Sequence, residues 1–393
     1  MINIKLYNKI SKHGLDVFDS KRYNVSEAAE EPCGVMVRSA SLHDEKFGGE
    51  LLAIARAGAG VNNIPVDECS KQGIVVFNTP GANANGVKEL AVASLLLASR
   101  DIVGGIEWAK SLKGQEDVAK LVEKGKSRFA GPELMGKTLG VIGLGAIGGM
   151  VANVAYALGM NVVGCDPYIT VKNAWSLSRA VRKADDYDSI YAESDYITYH
   201  VPAVAATKGM INAEAIAKMK DGVRIINLSR GELCNVPDLI AALESGKVAS
   251  YVTDFPCDEL LGVPHAVCIP HLGASTPESE DNCAVMAAEQ LVDYLETGNI
   301  RNSVNYPEIV LPRGAKNRVV VLHENIPNML SQISGVLSAD RINIETLLSQ
   351  SKGANAVSLF DTDNDVTPAI LEEISGIAGV VRARAISADR DGE

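Results

Sequence analysis

The chain has 393 residues, too many for one hydrophobic core and enough for two or three domains. Its 49 acidic and 37 basic residues give a net charge of −12, which argues against a nucleic-acid partner but leaves room for a local cationic pocket. Seven scattered cysteines with no Cys-x-x-Cys pair give neither a disulfide framework nor a metal site, and they suit a reducing cytoplasm.

The first residues, MINIKLYNKI, carry lysines where an export signal needs an apolar stretch, so a cytoplasmic location is expected. Four β-rich runs follow: INIKLYN, CGVMVRSA, LLAIARAG and GIVVFNT. A helix over about 87–100, VKELAVASLLLASR, is apolar on most faces and should be buried between domains. The stretch from Leu139 to Cys165 carries no charge and is long enough to span a bilayer, but its seven glycines predict strand–turn–helix–strand, so no membrane contact is expected. Six more strand runs lead to a long helix over about 277–297, which should return the chain to the first unit. Past the Pro- and Gly-containing segment 305–317, the pattern becomes βαββαβ. The expected fold class is α/β, with two doubly wound parallel-sheet (Rossmann/flavodoxin-like) domains plus a C-terminal ferredoxin-like domain. The expected boundaries are 1–100 with 277–304 for a discontinuous substrate domain and 101–276 for a nucleotide domain. A linker over 305–317 and a C-terminal domain over 318–393 complete the layout.

GVIGLGAIGG places Gly143, Gly145 and Gly148 directly after a strand and at the start of a helix. Such glycines allow a tight turn, close approach to a pyrophosphate and close helix–strand packing. The next strand ends on Asp166, 23 residues past Gly143, where a carboxylate accepts from both ribose hydroxyls and repels a 2′-phosphate. The cofactor expected is therefore NAD rather than NADP.

Three polar groups stand at or just after strand ends: Arg230 in RIINLSRGE, Glu259 in TDFPCDELLG and His271 in VCIPHLGAST. Ligands of open parallel sheets bind beyond the carboxyl ends of the strands, so the three can converge. Oxidation of a 2-hydroxy acid needs these types. The histidine takes the hydroxyl proton, the carboxylate orients the imidazole, and the arginine clamps the substrate carboxylate by two parallel hydrogen bonds.

Together with ARAGAGVNNI, FNTPGANANGVKEL, CDPY, HVP, NLSRGEL and PHLGAST, these motifs make the chain resemble the D-isomer-specific 2-hydroxyacid dehydrogenases over nearly its whole length. The resemblance implies that Arg230, Glu259 and His271 are catalytic and that Asp254 holds the nicotinamide amide. It implies cofactor contacts at Gly143, Gly145, Ala146, Ile147, Gly148, Asp166, His200, Val201, Pro202, Thr207, Leu228, Ser229, Asp254, His271 and Gly273, with His200 in a wall and not as a second base. It further implies D-3-phosphoglycerate as substrate and 3-phosphohydroxypyruvate as product. Substrate contacts would come from Arg38, Ser39, Arg56, Ala57, Gly58, Lys71, Asn83, Arg230 and His271, with Arg56 favoured for the phosphate. Two departures stand out: DFP and EL replace the usual Asp-Val-Phe and Glu-Pro, which leaves Asp258 a weaker alternative to Glu259, and VNN replaces the usual Val-Asp-Asn after the Arg-Ala-Gly motif, which bears on loop packing more than on chemistry.

HENIPNMLSQI and DRINIE resemble an ACT domain, which implies L-serine as an effector held by His323, Asn325 and Asn343 between paired copies, and a homodimer or homotetramer. The alternatives are another D-2-hydroxyacid dehydrogenase of the hydroxypyruvate or glyoxylate type, or a non-catalytic NAD-sensing protein.

Overall fold

The computed structural model describes residues 1–314 and 317–387. Residues 315–316 of the expected linker and 388–393 of the expected C-terminal domain lie outside the described residues. Two compact units emerge, Met1–Ala82 with Glu280–Glu393, and Asn83–Ser279.

In the first unit, strands β1 (Ile2–Tyr7), β2 (Tyr23–Ser26), β3 (Gly34–Val37), β4 (Ala53–Arg56) and β5 (Val75–Phe77) form a parallel sheet in the order β2-β1-β3-β4-β5. The inner strands β3 and β4 and the strand β5 are short, largely apolar runs because both of their faces are covered. One face packs with Ala284, Ala287 and Leu291 of the helix Pro277–Thr297, and the other with Leu42, Leu51, Ile64 and Cys69.

The second unit carries seven parallel strands: β6 (Thr138–Ile142), β7 (Asn161–Cys165), β8 (Arg182–Lys183), β9 (Tyr196–Tyr199), β10 (Val223–Asn227), β11 (Val248–Thr253) and β12 (Ala266–Cys268). Their order is β12-β11-β10-β9-β6-β7-β8, which reverses direction between β6 and β9. That switch point opens a crevice at the carboxyl ends of the two strands, where open α/β sheets bind ligands. The helix Ala84–Ser99 belongs here, so the division falls at 82/83 instead of 100/101. Its Val87, Ala91, Leu95 and Ala98 share one core with Leu139, Val141, Val151 and Val252. An apolar helix face goes to the sheet that can cover it.

The C-terminal strands β13 (Asn317–Glu324), β14 (Ile344–Lys352), β15 (Asn355–Thr362) and β16 (Val380–Ser387) form an antiparallel sheet in the order β14-β15-β13-β16. Val319 and Val321 of β13 pack with Ile333, Leu337, Ile370 and Ile374 of the two helices. The alternate residues Val320 and Leu322 join the core of Ile4, Met36, Phe77 and Leu291. A period of two thus buries both faces of one strand, and the sheet shares a compact unit with the first sheet.

The start of the expected linker is fixed by hydrogen bonds and burial. Asn305 donates to the Ile74 carbonyl (2.9 Å) and accepts from Val76 N–H (2.9 Å), and Tyr306 is buried. Arg384 donates to the Tyr294 and Leu295 carbonyls near the end of the helix Pro277–Thr297, which has no basic residue in its own last turn. Arg382 donates to Leu51 and Gln72 carbonyls, and buried Arg318 forks onto Asp361. No helix among the described residues is long and apolar enough to cross a membrane.

Candidate active site

The strand β6 runs into a glycine turn and then the helix Ala146–Ala157, whose first turn holds no acidic residue. Gly143 has φ +89°, and a Cβ there would lie 2.5 Å from the His200 carbonyl oxygen. A Cβ on Gly148 would fall 1.9 Å from the Gly143 carbonyl oxygen, so only glycine lets helix and turn touch. Gly145 faces open space, leaving the backbone approachable at the helix N-terminus beside Ala146 and Ile147. Asp166, just past β7, accepts from Leu144 N–H (2.8 Å) and Tyr168 N–H (2.9 Å). It braces the turn and keeps spare lone pairs on both oxygens.

The opposite rim follows β9 and β10. His200 lies 3.0 Å from Thr198 Oγ1 through Nε2, and its Nδ1 is buried without a partner. Burial pushes this imidazole down to about 4, so it is neutral near pH 7 and unsuited to cycle a proton there. Val201 packs near Gly143, and Thr207 Oγ1 ties the Pro202 carbonyl to Val204 N–H. Leu228 is buried, and Ser229 Oγ donates to the Tyr199 carbonyl (2.6 Å).

Asn227 builds the turn that carries the arginine, a role that sequence reasoning missed. Its Oδ1 accepts from Ser229 N–H (3.2 Å), and its Nδ2 donates to the Arg230 carbonyl (2.9 Å) and Tyr251 Oη (3.1 Å). A polar residue ending a buried apolar strand was the available signal. The Arg230 side chain is exposed, with Nη1 on the Ser229 carbonyl (2.6 Å).

Asp254 follows β11 and is 1% exposed. Its Oδ2 accepts from Gly273 N–H (3.2 Å) and its carbonyl from His271 N–H (3.0 Å), while Oδ1 is buried with no partner. Burial raises this carboxyl above its ordinary range, against the Gly273 N–H and the nearby His271 and Arg230 charges, which lower it. The structure thus gathers Arg230, Asp254 and His271 into one electrostatic neighbourhood. Gly273 is needed there, because a Cβ would meet Asp254 Oδ2 at 3.2 Å and Val87 at 3.3 Å. A Cβ on Gly86 would lie 3.1 Å from the Gly273 carbonyl oxygen, so the first turn of the helix that Asn83 caps packs on this loop.

Glu259 departs from expectation. Among the described residues, no hydrogen bond or ion pair joins it to His271. Its own backbone N–H and the Cys257 thiol hold its carboxyl below the usual range. The Asp-Phe-Pro sequence leads into a 3-10 turn, Asp258–Leu260, pinned by buried Leu260. Glu259 therefore faces a cleft of about 640 Å³ that Gly231, Cys234, Tyr251 and Phe255 also line. Asp258 is exposed on the same turn. The His271 imidazole meets the Phe255 ring instead, at 4.7 Å between centroids and 49° between planes.

In the first unit, Arg38 and Arg56 stand at the carboxyl ends of β3 and β4. Arg56 Nε donates to the Arg38 carbonyl (3.1 Å), and Gly58, with φ +150°, leaves room for the Arg56 guanidinium, which a Cβ would strike at 2.0 Å. Ala57 N–H donates to the Val37 carbonyl (2.8 Å). Asn8, in the left-handed region, accepts from Ser39 N–H (3.0 Å) and Ala40 N–H (2.6 Å), a second bracing amide that the sequence did not flag. The Arg38 guanidinium already pairs with Glu280. Lys71 does not join these residues. It ends the helix Val66–Lys71, pairs with Glu68 at 3.6 Å and precedes β5, whereas Arg56 closes β4. Since β4 and β5 are parallel, with Ala53 opposite Val75, the two cations lie at opposite ends of the sheet.

In the C-terminal sheet, His323 is 4% exposed, with Nε2 2.9 Å from Ser358 Oγ and Nδ1 2.8 Å from the Glu324 carbonyl. With Asn325, Asn328, Ser331, Ser349 and Gln350 it lines a cavity of about 330 Å³. Asn343 lies elsewhere. It precedes β14 and donates its N–H to Asp363 (3.0 Å), whereas the cavity adjoins the far end of that strand. No cluster of His, Cys, Asp or Glu able to hold a metal occurs among the described residues.

Comparison with known proteins adds to this geometry. Residues 92–273 match the family model of the D-isomer specific 2-hydroxyacid dehydrogenase, NAD binding domain. D-3-phosphoglycerate dehydrogenase from Synechocystis sp. is 34% identical over 355 residues, covering 85% of this chain and 62% of that protein. The protein of that name from Escherichia coli K12 is 31% identical over 348 residues, covering 85% and 81%. The chain spans from about half to about two thirds of several relatives, 48% for that of Archaeoglobus fulgidus. Among solved structures, a glyoxylate reductase from Paecilomyes thermophila matches with a TM-score of 0.64 at 25% identity, covering 77% of this chain and 98% of the other. An NAD+-bound 3-phosphoglycerate dehydrogenase in Entamoeba histolytica matches with a TM-score of 0.60 at 27% identity, also covering 77% and 98%.

Proposed function

Because this chain belongs to the D-isomer-specific 2-hydroxyacid dehydrogenase family, we propose that it oxidises D-3-phosphoglycerate to 3-phosphohydroxypyruvate with NAD, as a phosphoglycerate dehydrogenase of serine biosynthesis. The observation that carries the reading is the buried, unpartnered Oδ1 of Asp254 beside His271 and Arg230. A buried acceptor without a donor is costly, and a carboxamide N–H of a nicotinamide is the donor that would satisfy it. The open backbone at Gly145 and the spare lone pairs of Asp166 fit a pyrophosphate and a ribose diol.

When bound, NAD supplies the hydride acceptor. The chain's own residues do the rest. His271 accepts the hydroxyl proton on a ring nitrogen as the carbonyl forms. Arg230 offers two parallel N–H groups to the substrate carboxylate and draws electron density from the developing carbonyl. For the phosphoryl group the first unit offers Arg56. Arg38 is already matched by Glu280, and Lys71 is at the far end of its sheet. That thin supply of cations is what favours the second reading, an unphosphorylated 2-hydroxy acid as substrate.

The C-terminal sheet is proposed to be ACT-like and to bind L-serine in the cavity beside His323 and Asn325. Its edge strand β14 is largely exposed and lacks a neighbour on one side. Antiparallel pairing of two copies about Leu348 would set Asn343 of a second copy opposite Gly353, at the cavity end of the strand. The helix Ile102–Ser111 buries no residue and exposes Ile102, Val103 and Ile106, which also supports a homodimer or homotetramer.

The test is NADH oxidation with 3-phosphohydroxypyruvate and with hydroxypyruvate, with and without L-serine. The proposal expects a kcat/KM at least tenfold higher for the phosphorylated acid. Equal values would establish the second reading, and no turnover with either would end both.

A further inference from the structure

Arg230 can clamp a carboxylate in one geometry only if the turn that carries it is fixed, because about 1 Å of misplacement can cost on the order of a hundredfold in rate. The strand β10 ends at Asn227, so the arginine is placed by a turn and not by the sheet. Its guanidinium leans back on that turn, with Nη1 on the Ser229 carbonyl (2.6 Å). Two neighbouring strands brace the turn. On one side Ser229 Oγ donates to the Tyr199 carbonyl at the end of β9 (2.6 Å). On the other, Asn227 Oδ1 accepts from Ser229 N–H (3.2 Å), and its Nδ2 donates both to the Arg230 carbonyl (2.9 Å) and to the hydroxyl of Tyr251 in β11 (3.1 Å). An amide carries two N–H hydrogens and can serve both acceptors at once. Asn227 is fully buried and Tyr251 is 1% exposed, so solvent offers the amide no substitute for that hydroxyl. Thr253 and Cys234 also make side-chain hydrogen bonds with it. One precedes Asp254 and the other follows the 3-10 turn after Arg230.

We propose that Tyr251 is a positioning residue whose hydroxyl holds the Asn227 amide, and through it the Arg230 turn, in fixed register with the end of β11 that leads into Asp254. Its catalytic meaning rests on the dehydrogenase reading, whereas the brace itself does not. In that reading Arg230 takes the substrate carboxylate and Asp254 the nicotinamide carboxamide. The separation of the two therefore sets how far the reacting carbon lies from the hydride. Without the hydroxyl, one Asn227 N–H is buried with no acceptor. The amide then gains by turning toward a new one, and the Arg230 carbonyl that it holds moves with it. Such a shift differs from a general loss of stability. Fewer folded molecules lower kcat and leave KM unchanged, whereas a tilted arginine raises KM for the acid.

The experiment uses Tyr251→Phe, which removes the hydroxyl and keeps the ring packed in β11. With NADH and the better of the two 2-oxo acids, KM for the acid should rise roughly fivefold or more and kcat should fall about threefold, while the Kd for NADH stays within about twofold. Placed on Asn227→Ala, the same change should alter kcat/KM by less than about twofold, because the amide through which it acts is gone. Asn227→Ser serves if Asn227→Ala does not fold. In the cofactor-free protein, amide hydrogen exchange over 228–234, followed by mass spectrometry, should be faster in Tyr251→Phe, with exchange in β6 unchanged. An unchanged KM, or a loss as large without Asn227 as with it, overturns the inference and leaves the dehydrogenase reading intact. If the wild type turns over no 2-oxo acid, the dehydrogenase reading fails. Faster exchange over 228–234 then upholds the brace, and unchanged exchange overturns it.

Discussion

Asp254→Asn separates what the site costs the fold from what it gives the cofactor. The carboxylate is buried, one oxygen accepts from Gly273 N–H, and the other has no partner. An amide can keep the Gly273 bond, but it then presents an NH2 group where the nicotinamide carboxamide also presents one. Losing a hydrogen bond to a charged acceptor is worth about 1.5–3 kcal/mol, so the Kd for NADH should rise roughly 10- to 150-fold. Stability should move the other way. Burial raises the Asp254 pKa above its ordinary 3.8. Between that value and the raised one the folded chain holds more protons than the unfolded chain, so stability falls as pH rises through this window and stays reduced above it. An amide does not titrate, so the cofactor-free variant should melt at the same temperature or higher near pH 7 and lose less stability between mildly acidic and neutral pH. Fluorescence titration with NADH and thermal melting without cofactor read the two effects. A Kd within threefold of wild type, or a cofactor-free Tm several degrees lower, would refute the reasoning.

Arg56→Ala should raise KM for 3-phosphohydroxypyruvate at least tenfold and leave the reaction with hydroxypyruvate nearly unchanged, whereas Lys71→Ala should alter neither; steady-state kinetics with both acids decides between them. Arg318→Ala leaves the buried Asp361 carboxylate unpaired, together with the Thr297, Leu311 and Pro312 carbonyls to which Arg318 donates. Breaking such a pair costs about 3–5 kcal/mol, or roughly 6–20 °C in Tm for a unit of this size by calorimetry. Arg318→Met/Asp361→Leu should recover most of the loss, and a fall below 2 °C for Arg318→Ala would show that the pair carries little.

Local spacing in the sequence was enough to read the nucleotide half. Gly143, Gly145 and Gly148 must sit between a strand and a helix because a Cβ at two of them would overlap backbone, and Asp166 must follow at the end of the adjacent strand. The βαββαβ order of the last eighty residues was legible for the same reason: periodicity and turn chemistry act within a few residues. What the sequence left open depended on directions set by distant contacts. It could not say that Glu259 would turn toward Cys257 while Phe255 took the face of His271, because one buried leucine and a 3-10 turn decide where that carboxylate points. Nor could it place Lys71 and Arg56 at opposite sheet ends, which follows from the parallel pairing of β4 with β5. It missed Asn8 and Asn227, whose amides act on backbone brought near by folding. A short stretch of chain encodes its own periodicity, whereas the convergence of side chains depends on which strand ends the tertiary fold brings side by side.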